Sequence, residues 1–154
     1  MTANTGRTVN KYTLVYIDDS GGTLRSIAVN SIGGVGLEFE EVDQSAWYDA
    51  VKGVLLNTPS FATTISGPVD TTADTGSHIV LSGVCGLNTP LAFDVRIGIR
   101  HAWEAGEPYF GIPGTAANGV LVKSYKINDD MTYTAEIVMF AGSAAPAWAT
   151  TAHT

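Results

Sequence analysis

The sequence predicts a mainly β protein, a sandwich or barrel of two antiparallel sheets flanked by one short α-helix over residues 44–55. Three observations carry that expectation. Apolar and polar residues alternate with a period of two along several runs, most cleanly where Leu91, Phe93, Val95, Ile97 and Ile99 alternate with Ala92, Asp94, Arg96 and Gly98. Clusters of Gly, Asp, Asn and Pro punctuate those runs at turn spacing. A helical stripe stands out at Trp47, Val51, Val54 and Leu55, which fall at i, i+4, i+7 and i+8 behind Asp43.

Taken in order, residues 1–10 are small and polar without periodicity and read as a flexible arm. Residues 12–17 are β-branched and aromatic, Asp18-Asp19-Ser20-Gly21-Gly22 has turn composition, and residues 24–29 answer the first run as a hairpin. In residues 35–42, Val35, Leu37 and Phe39 alternate with Gly36, Glu38 and Glu40, so one face is expected inward and the acidic one outward. Asp43 then reads as an N-cap, and Val42 with Trp47 as a hydrophobic staple. On that reading Trp47 anchors the helix to the sheet.

Pro59 cannot continue a helix, and Phe61, Thr63 and Ile65 restart the two-residue period. Residues 67–77 are a loop rich in Thr, Asp and Gly, followed by an expected strand over 78–84. The register of the 91–99 strand is well specified, since a slip of one residue would exchange its apolar face for Asp94 and Arg96. Residues 103–119 form the longest irregular stretch, yet carry Trp103, Tyr109, Phe110 and Ile112, which must either fold back on their own domain or be covered by a neighbour. Residues 120–127 and 132–140 form a terminal hairpin across Asn128-Asp129-Asp130, and residues 141–154 are a tail holding Trp148. The expected organisation is one sandwich domain over 11–140 between an arm and a tail.

Composition narrows the function. Of 154 residues, 45% are apolar and only 15% charged, which excludes intrinsic disorder and suits a subunit that covers much of itself with copies of itself. The net charge of −7 argues against docking on nucleic acid or an anionic membrane, and suits a surface that DNA slides past. Cys85, the one cysteine, excludes an intrachain disulfide. Residues 1–9 have no signal-like apolar core, and no run approaches the ~20 apolar residues that span a bilayer, so a soluble cytoplasmic product is expected.

Catalytic and metal-binding patterns are weak. His78, His101 and His153 are scattered, and the 70–76 segment lacks the closing bidentate Glu of a calcium loop. The pairs Asp18/Asp19 and Asp129/Asp130 sit in turns, which favour Asp for its own sake. No nucleophile elbow or phosphate loop is present. The expectation is a protein without enzymatic activity, cofactor or metal. Arg96 and Arg100 read either as cross-strand partners of Asp94 on a wetted face, or as contacts to the acidic Glu38/Glu40/Glu41 surface of a second subunit.

The acidic strand Gly36-Leu37-Glu38-Phe39-Glu40-Glu41-Val42, the segment Ala46-Trp47-Tyr48-Asp49-Ala50-Val51-Lys52 and the strand Thr63-Thr64-Ile65-Ser66-Gly67-Pro68-Val69-Asp70, in that order, resemble the major tail tube proteins of long-tailed, non-contractile bacteriophages. Ser77-His78-Ile79-Val80-Leu81-Ser82-Gly83 and Gly119-Val120-Leu121-Val122-Lys123-Ser124-Tyr125-Lys126-Ile127 are similar to the segments that complete such domains. The resemblance implies a virion tail protein that forms stacked hexameric rings, meets other virion proteins at the tube's ends, and lets DNA pass unbound. Glu38 and Glu40 are then candidates for the lumen, and Arg96, Arg100, Trp103, Tyr109, Phe110 and Trp148 for subunit interfaces. The alternatives are a head-decoration or head-to-tail joining protein and a small-ligand-binding β-barrel.

Overall fold

Eleven short strands, one α-helix and a single 3-10 turn at Asn10–Tyr12 account for the ordered elements of the described chain. The structure is a computed structural model, and it describes residues 5–48, 50–115 and 117–150. Strands β1 (Thr13–Asp18), β2 (Leu24–Ile27), β7 (Phe93–Ile97), β8 (Tyr109–Ile112) and β11 (Ala147–Ala149) form a five-stranded sheet in the order β11-β8-β7-β1-β2. Strands β3 (Ser31–Ile32), β6 (Ala62–Pro68), β9 (Val120–Ile127) and β10 (Thr132–Met139) form a second sheet in the order β3-β6-β10-β9. Each pairing in the two sheets is antiparallel, as alternating sequences joined by tight turns favour. The mainly β sandwich read from the sequence is therefore the observed architecture, with two open sheets and no closed barrel among the described residues.

The inner faces bury the alternating positions. Val15 and Ile17 of β1, Phe93 and Val95 of β7, and Phe110 and Ile112 of β8 meet Ile65 of β6, Val120 and Val122 of β9, and Tyr133, Ala135 and Ile137 of β10 in a common core. Phe61 closes it, with its ring 5.1 Å from that of Phe110. The chain changes sheets over residues 28–33, where Asn30 N–H donates to Ser66 O at 2.8 Å and Gly33 N–H to Thr64 O at 2.8 Å. This crossing runs so close to β6 that a Cβ on Gly67 would lie 2.3 Å from Ala28 O, so glycine is required there.

The helix lies elsewhere than the stripe at 47–55 suggested. Residues 44–48 and 50–53 belong to the turn of a two-stranded ribbon, β4 (Glu38–Asp43) with β5 (Val54–Ser60), and the helix is α1 (Ser77–Val84), where a strand was expected. Asp43 does accept Ser45 N–H at 2.9 Å, but it caps a turn. A helix of about a dozen residues is marginal in water without a surface to pack on, and the ribbon offers residues 44–55 none. In α1 the buried residues Ser77, Val80, Leu81 and Val84 recur at i, i+3, i+4 and i+7 and pack into the core. The β-branched Ile79 and Val80 masked that stripe, because β propensity yields to burial.

Two further expectations change. The 103–119 stretch contains strand β8, and the tail contributes β11, whose Trp148 pairs with Phe110. From Thr5 onward the N-terminal segment is held by contacts, with Arg100 donating to Thr5 O and Thr8 Oγ1 to Gly98 O. Residues 1–4 and 151–154, with the ends of the expected arm and tail, including His153, lie outside the described residues.

Candidate assembly surface

The chemistry-bearing side chains settle into structural roles. In the β1–β2 turn Asp18 Oδ1 accepts Ser20 N–H at 2.9 Å, while Asp19 Oδ1 accepts Gly21 N–H at 2.8 Å and its Oδ2 meets Arg25 Nε at 2.9 Å. Partial burial works to raise the Asp19 pKa, and the bonds from Arg25, Gly21 and Thr23 outweigh it and hold the carboxyl below its ordinary value. Asp70 and Asp130 are likewise lowered, each by the hydroxyl and N–H of the Thr two residues on. His78 Nδ1 lies 3.1 Å from Tyr125 Oη, and burial raises the Tyr125 pKa. Among the described residues no His, Cys, Asp and Glu side chains cluster as a metal site, and no helix is long and apolar enough to cross a membrane.

The candidate interface residues divide. Phe110 is fully buried and Tyr109 nearly so, which places both in this subunit's own sheet and corrects the interface expectation for them. Arg96 is also engaged internally. Its guanidinium stacks 4.1 Å from the Tyr16 ring centre and 5.1 Å from that of Trp103, and it meets the buried Asp94 at 3.3 Å. The face that was expected to be wetted is covered by residues 98–108. A buried carboxylate pins this cover: Glu107 Oε1 accepts Glu104 N–H at 2.8 Å and Oε2 accepts Ile99 N–H at 3.1 Å, with His101 Nε2 3.3 Å away. Trp103 Nε1 donates to Glu107 O at 3.0 Å. Gly111 completes the fit, since a Cβ there would lie 2.1 Å from Asp94 Oδ1. Sequence reasoning passed over Glu107, although an acid inside an aromatic, glycine-rich stretch was the available signal.

The exposed members of the set are Arg100 and Trp148, the latter packing its ring 5.0 Å from Phe110 while half of it remains open. Glu38 and Glu40 are exposed at the root of the ribbon, where Glu38 pairs with Ser60 at the end of β5. The alternation in 35–42 holds only in part: Val35 and Leu37 pack against the core, but Phe39 is exposed.

The ribbon carries seven of the thirteen exposed large hydrophobic residues among those described. Trp47 is fully exposed, Tyr48 is 91% and Val51 80% exposed, and Leu55 and Leu56 are each 63% exposed. The tip is nonetheless a defined turn. Ser45 Oγ accepts Gly53 N–H at 2.6 Å, Gln44 N–H donates to Gly53 O at 3.2 Å, and Lys52 reaches Asp43 at 3.4 Å. Full exposure of Trp47 leaves it unpacked on its own subunit and corrects its expected role as an anchor of the fold.

A second open surface is the outer face of the four-stranded sheet, where Ala62, Thr64, Ser66, Thr134, Glu136 and Val138 point away from the core. Its side chains are short, and its charges include the Lys123–Glu136 pair at 3.7 Å. Strands β3 and β9 bound this sheet as edges.

No protein-family model and no curated protein sequence matches the chain. Its fold is similar to that of a chain in the cryo-EM structure of the anti-feeding prophage baseplate, six-fold symmetrised, with a TM-score of 0.68 at 9% identity over 95% of this chain and 97% of that one.

Proposed function

We propose that the protein is a structural subunit of a phage-tail-like assembly, which forms rings that stack into a tube and performs no catalysis. The observation that carries this reading is the ribbon: a soluble monomer rarely presents a contiguous apolar patch beyond a few hundred Å², and such patches mark interaction sites. The fold shared with a baseplate chain of the anti-feeding prophage supports the same class of role. The outer face of the four-stranded sheet, lined by short side chains and few charges, suits the wall of a channel. Glu38 and Glu40, at the ribbon root, would then add negative charge to the channel rim and repel passing DNA.

Negative-stain electron microscopy and sedimentation of the purified protein test the reading: rings or tubes are expected, and a chain that stays monomeric at high concentration overturns it. A second reading, a single ring at the tail's end, draws on the baseplate location of the structural neighbour. Isolated rings that never lengthen favour it. For the rim, the double substitution Glu38→Lys with Glu40→Lys is expected to leave tubes forming while making them retain duplex DNA at about 0.15 M salt, where charges act over about 8 Å. Tubes of the variant that ignore DNA would remove the two residues from the channel.

A further inference from the structure

The two strands of the ribbon differ in chemistry. β4 contributes Glu38, Glu40, Glu41 and Asp43, while β5 contributes Val54, Leu55 and Leu56. Register pairs Glu41 with Leu56 and Asp43 with Val54, so acids and aliphatic side chains stand side by side. Beyond them the tip exposes Trp47, Tyr48 and Val51. Aromatic side chains bury roughly 150–250 Å² each, so these apolar groups together come near the roughly 800 Å² that one partner gives to a single interface. The ribbon is equipped for one contact, with a surface that offers an apolar seat and a cation.

The body of the molecule carries such a surface. β2 pairs with β1 only from Val15 to Asp18, because the chain leaves the sheet after Ile27 and crosses to β6. Thr13 is left without a strand on that side, and a groove of about 380 Å³ opens between β1 and residues 29–32. Buried Val15 and partly buried Val29 and Ile32 line it, and exposed Lys11 and Ser31 stand at its rim. The Lys11 ammonium lies 5.0 Å from the centre of the Tyr12 ring and joins none of the ion pairs found among the described residues. An adjoining hollow that shares Thr13, Val15 and Val29 reaches Asp70, whose carboxylate is occupied by the N–H and hydroxyl of Thr72. Trp47 does not enter the groove of its own subunit, since it is fully exposed, and the six residues of β4 carry it about 20 Å from the ribbon's root.

We infer that Trp47, at the tip of the ribbon, seats in the groove between β1 and residues 29–32 of a second copy of this chain, with that copy's Lys11 meeting the acids Glu41 and Asp43 of the ribbon. The occupant is a second copy because this chain carries both complementary halves, an acidic arm with an aromatic end and an apolar groove with a cation on its rim. An aromatic anchor in a pocket, with charges around it, is the common anatomy of a binding hot spot. The two halves are different patches, so each copy gives one ribbon and receives another, and the repeated contact closes a ring or extends a stack. The inference rests on the ring-and-tube reading and deepens it by naming both sides of one contact.

Photo-cross-linking and a mixing experiment test the seat. With p-benzoylphenylalanine in place of Trp47, irradiated assemblies built from isotopically light and heavy chains are expected to join the ribbon to residues 10–15 or 29–32 of a different chain. Trp47→Ala removes the anchor, and Ser31→Trp blocks the groove from an exposed position. Each variant alone is expected to keep the monomer's melting temperature and to form no tubes, while their equimolar mixture gains dimers by sedimentation through the one intact ribbon and the one intact groove it retains. Lys11→Glu is expected to raise the concentration at which assembly begins at least about tenfold, since it sets like charges against each other. Tubes whose cross-links run to another surface, a mixture that stays monomeric, or an unchanged onset with Lys11→Glu overturn the seat while leaving the tube reading in place. A parent chain that never assembles overturns both.

Discussion

Residues 98–112 and residues 38–60 have the same composition problem and opposite solutions. Each is a stretch rich in aromatic and aliphatic residues, and each contains acids and glycines. In the first, Trp103, Tyr109 and Phe110 fold back on their own sheet; in the second, Trp47, Tyr48, Leu55 and Leu56 stay in solvent. Hydrophobicity is equal in kind, so it does not decide between them. The ties to the body do: β8 pairs with β7, Ile97 N–H donates to Pro108 O at 3.0 Å, and Arg96 of β7 stacks against the Trp103 ring, with Glu107 bracing the cover from within, whereas the hydrogen bonds found at the ribbon's tip join one part of the ribbon to another. A segment paired with a strand of the body becomes core, and one paired only within itself becomes an arm.

The sharpest break in that comparison comes from truncating one aromatic in each segment. Phe110→Ala is expected to destabilise the monomer by about 3–5 kcal/mol in urea unfolding, since the ring is fully buried against Phe61 and Trp148. Trp47→Ala is expected to leave monomer stability within about 0.5 kcal/mol and to reduce assembly instead. A substantial fall in the melting temperature of the Trp47 variant as a monomer would mean that the ribbon packs on its own subunit.

A smaller effect probes the anchor. Glu107→Gln keeps the volume but exchanges one acceptor oxygen for a donor, which faces either Glu104 N–H or Ile99 N–H. A loss of about 1–3 kcal/mol is expected, with faster amide exchange confined at first to residues 98–108. Unchanged protection of that loop would show that its aromatics alone hold it down.

The smallest effect is acid sensitivity at the β1–β2 turn. Asp19 has its folded pKa held below the ordinary 3.8, so it stabilises the fold above that value and loses the contribution as pH falls through its folded pKa. Asp19→Asn is therefore expected to lower the denaturant midpoint slightly at about pH 6, and to flatten the decline of stability below about pH 4. An equally steep decline in the variant would assign the acid sensitivity to the other turn carboxylates.

The sheets were legible wherever apolar and polar residues alternate or turn residues punctuate the chain. Leu91, Phe93 and Val95, the 120–140 hairpin and the Asp18–Gly22 turn announce themselves, because period-two alternation and turn chemistry are local properties of the chain. Phe39 was misread, because alternation signals an extended strand without saying that a second layer lies above it.

What the sequence determined by itself was the mainly β class and the low content of charged residues. What only the tertiary structure decided was which apolar stripe becomes the helix and which aromatic segment stays outside. Both stripes, at 47–55 and at 77–84, have helical spacing; the second folds as a helix because it packs into the core beside β2 and β9, and the first does not because nothing of its own subunit lies beneath it. Local spacing states a preference of a few tenths of a kcal/mol per residue, while burial of a side chain is worth about 1.5–3 kcal/mol, and only long-range pairing determines where burial is available.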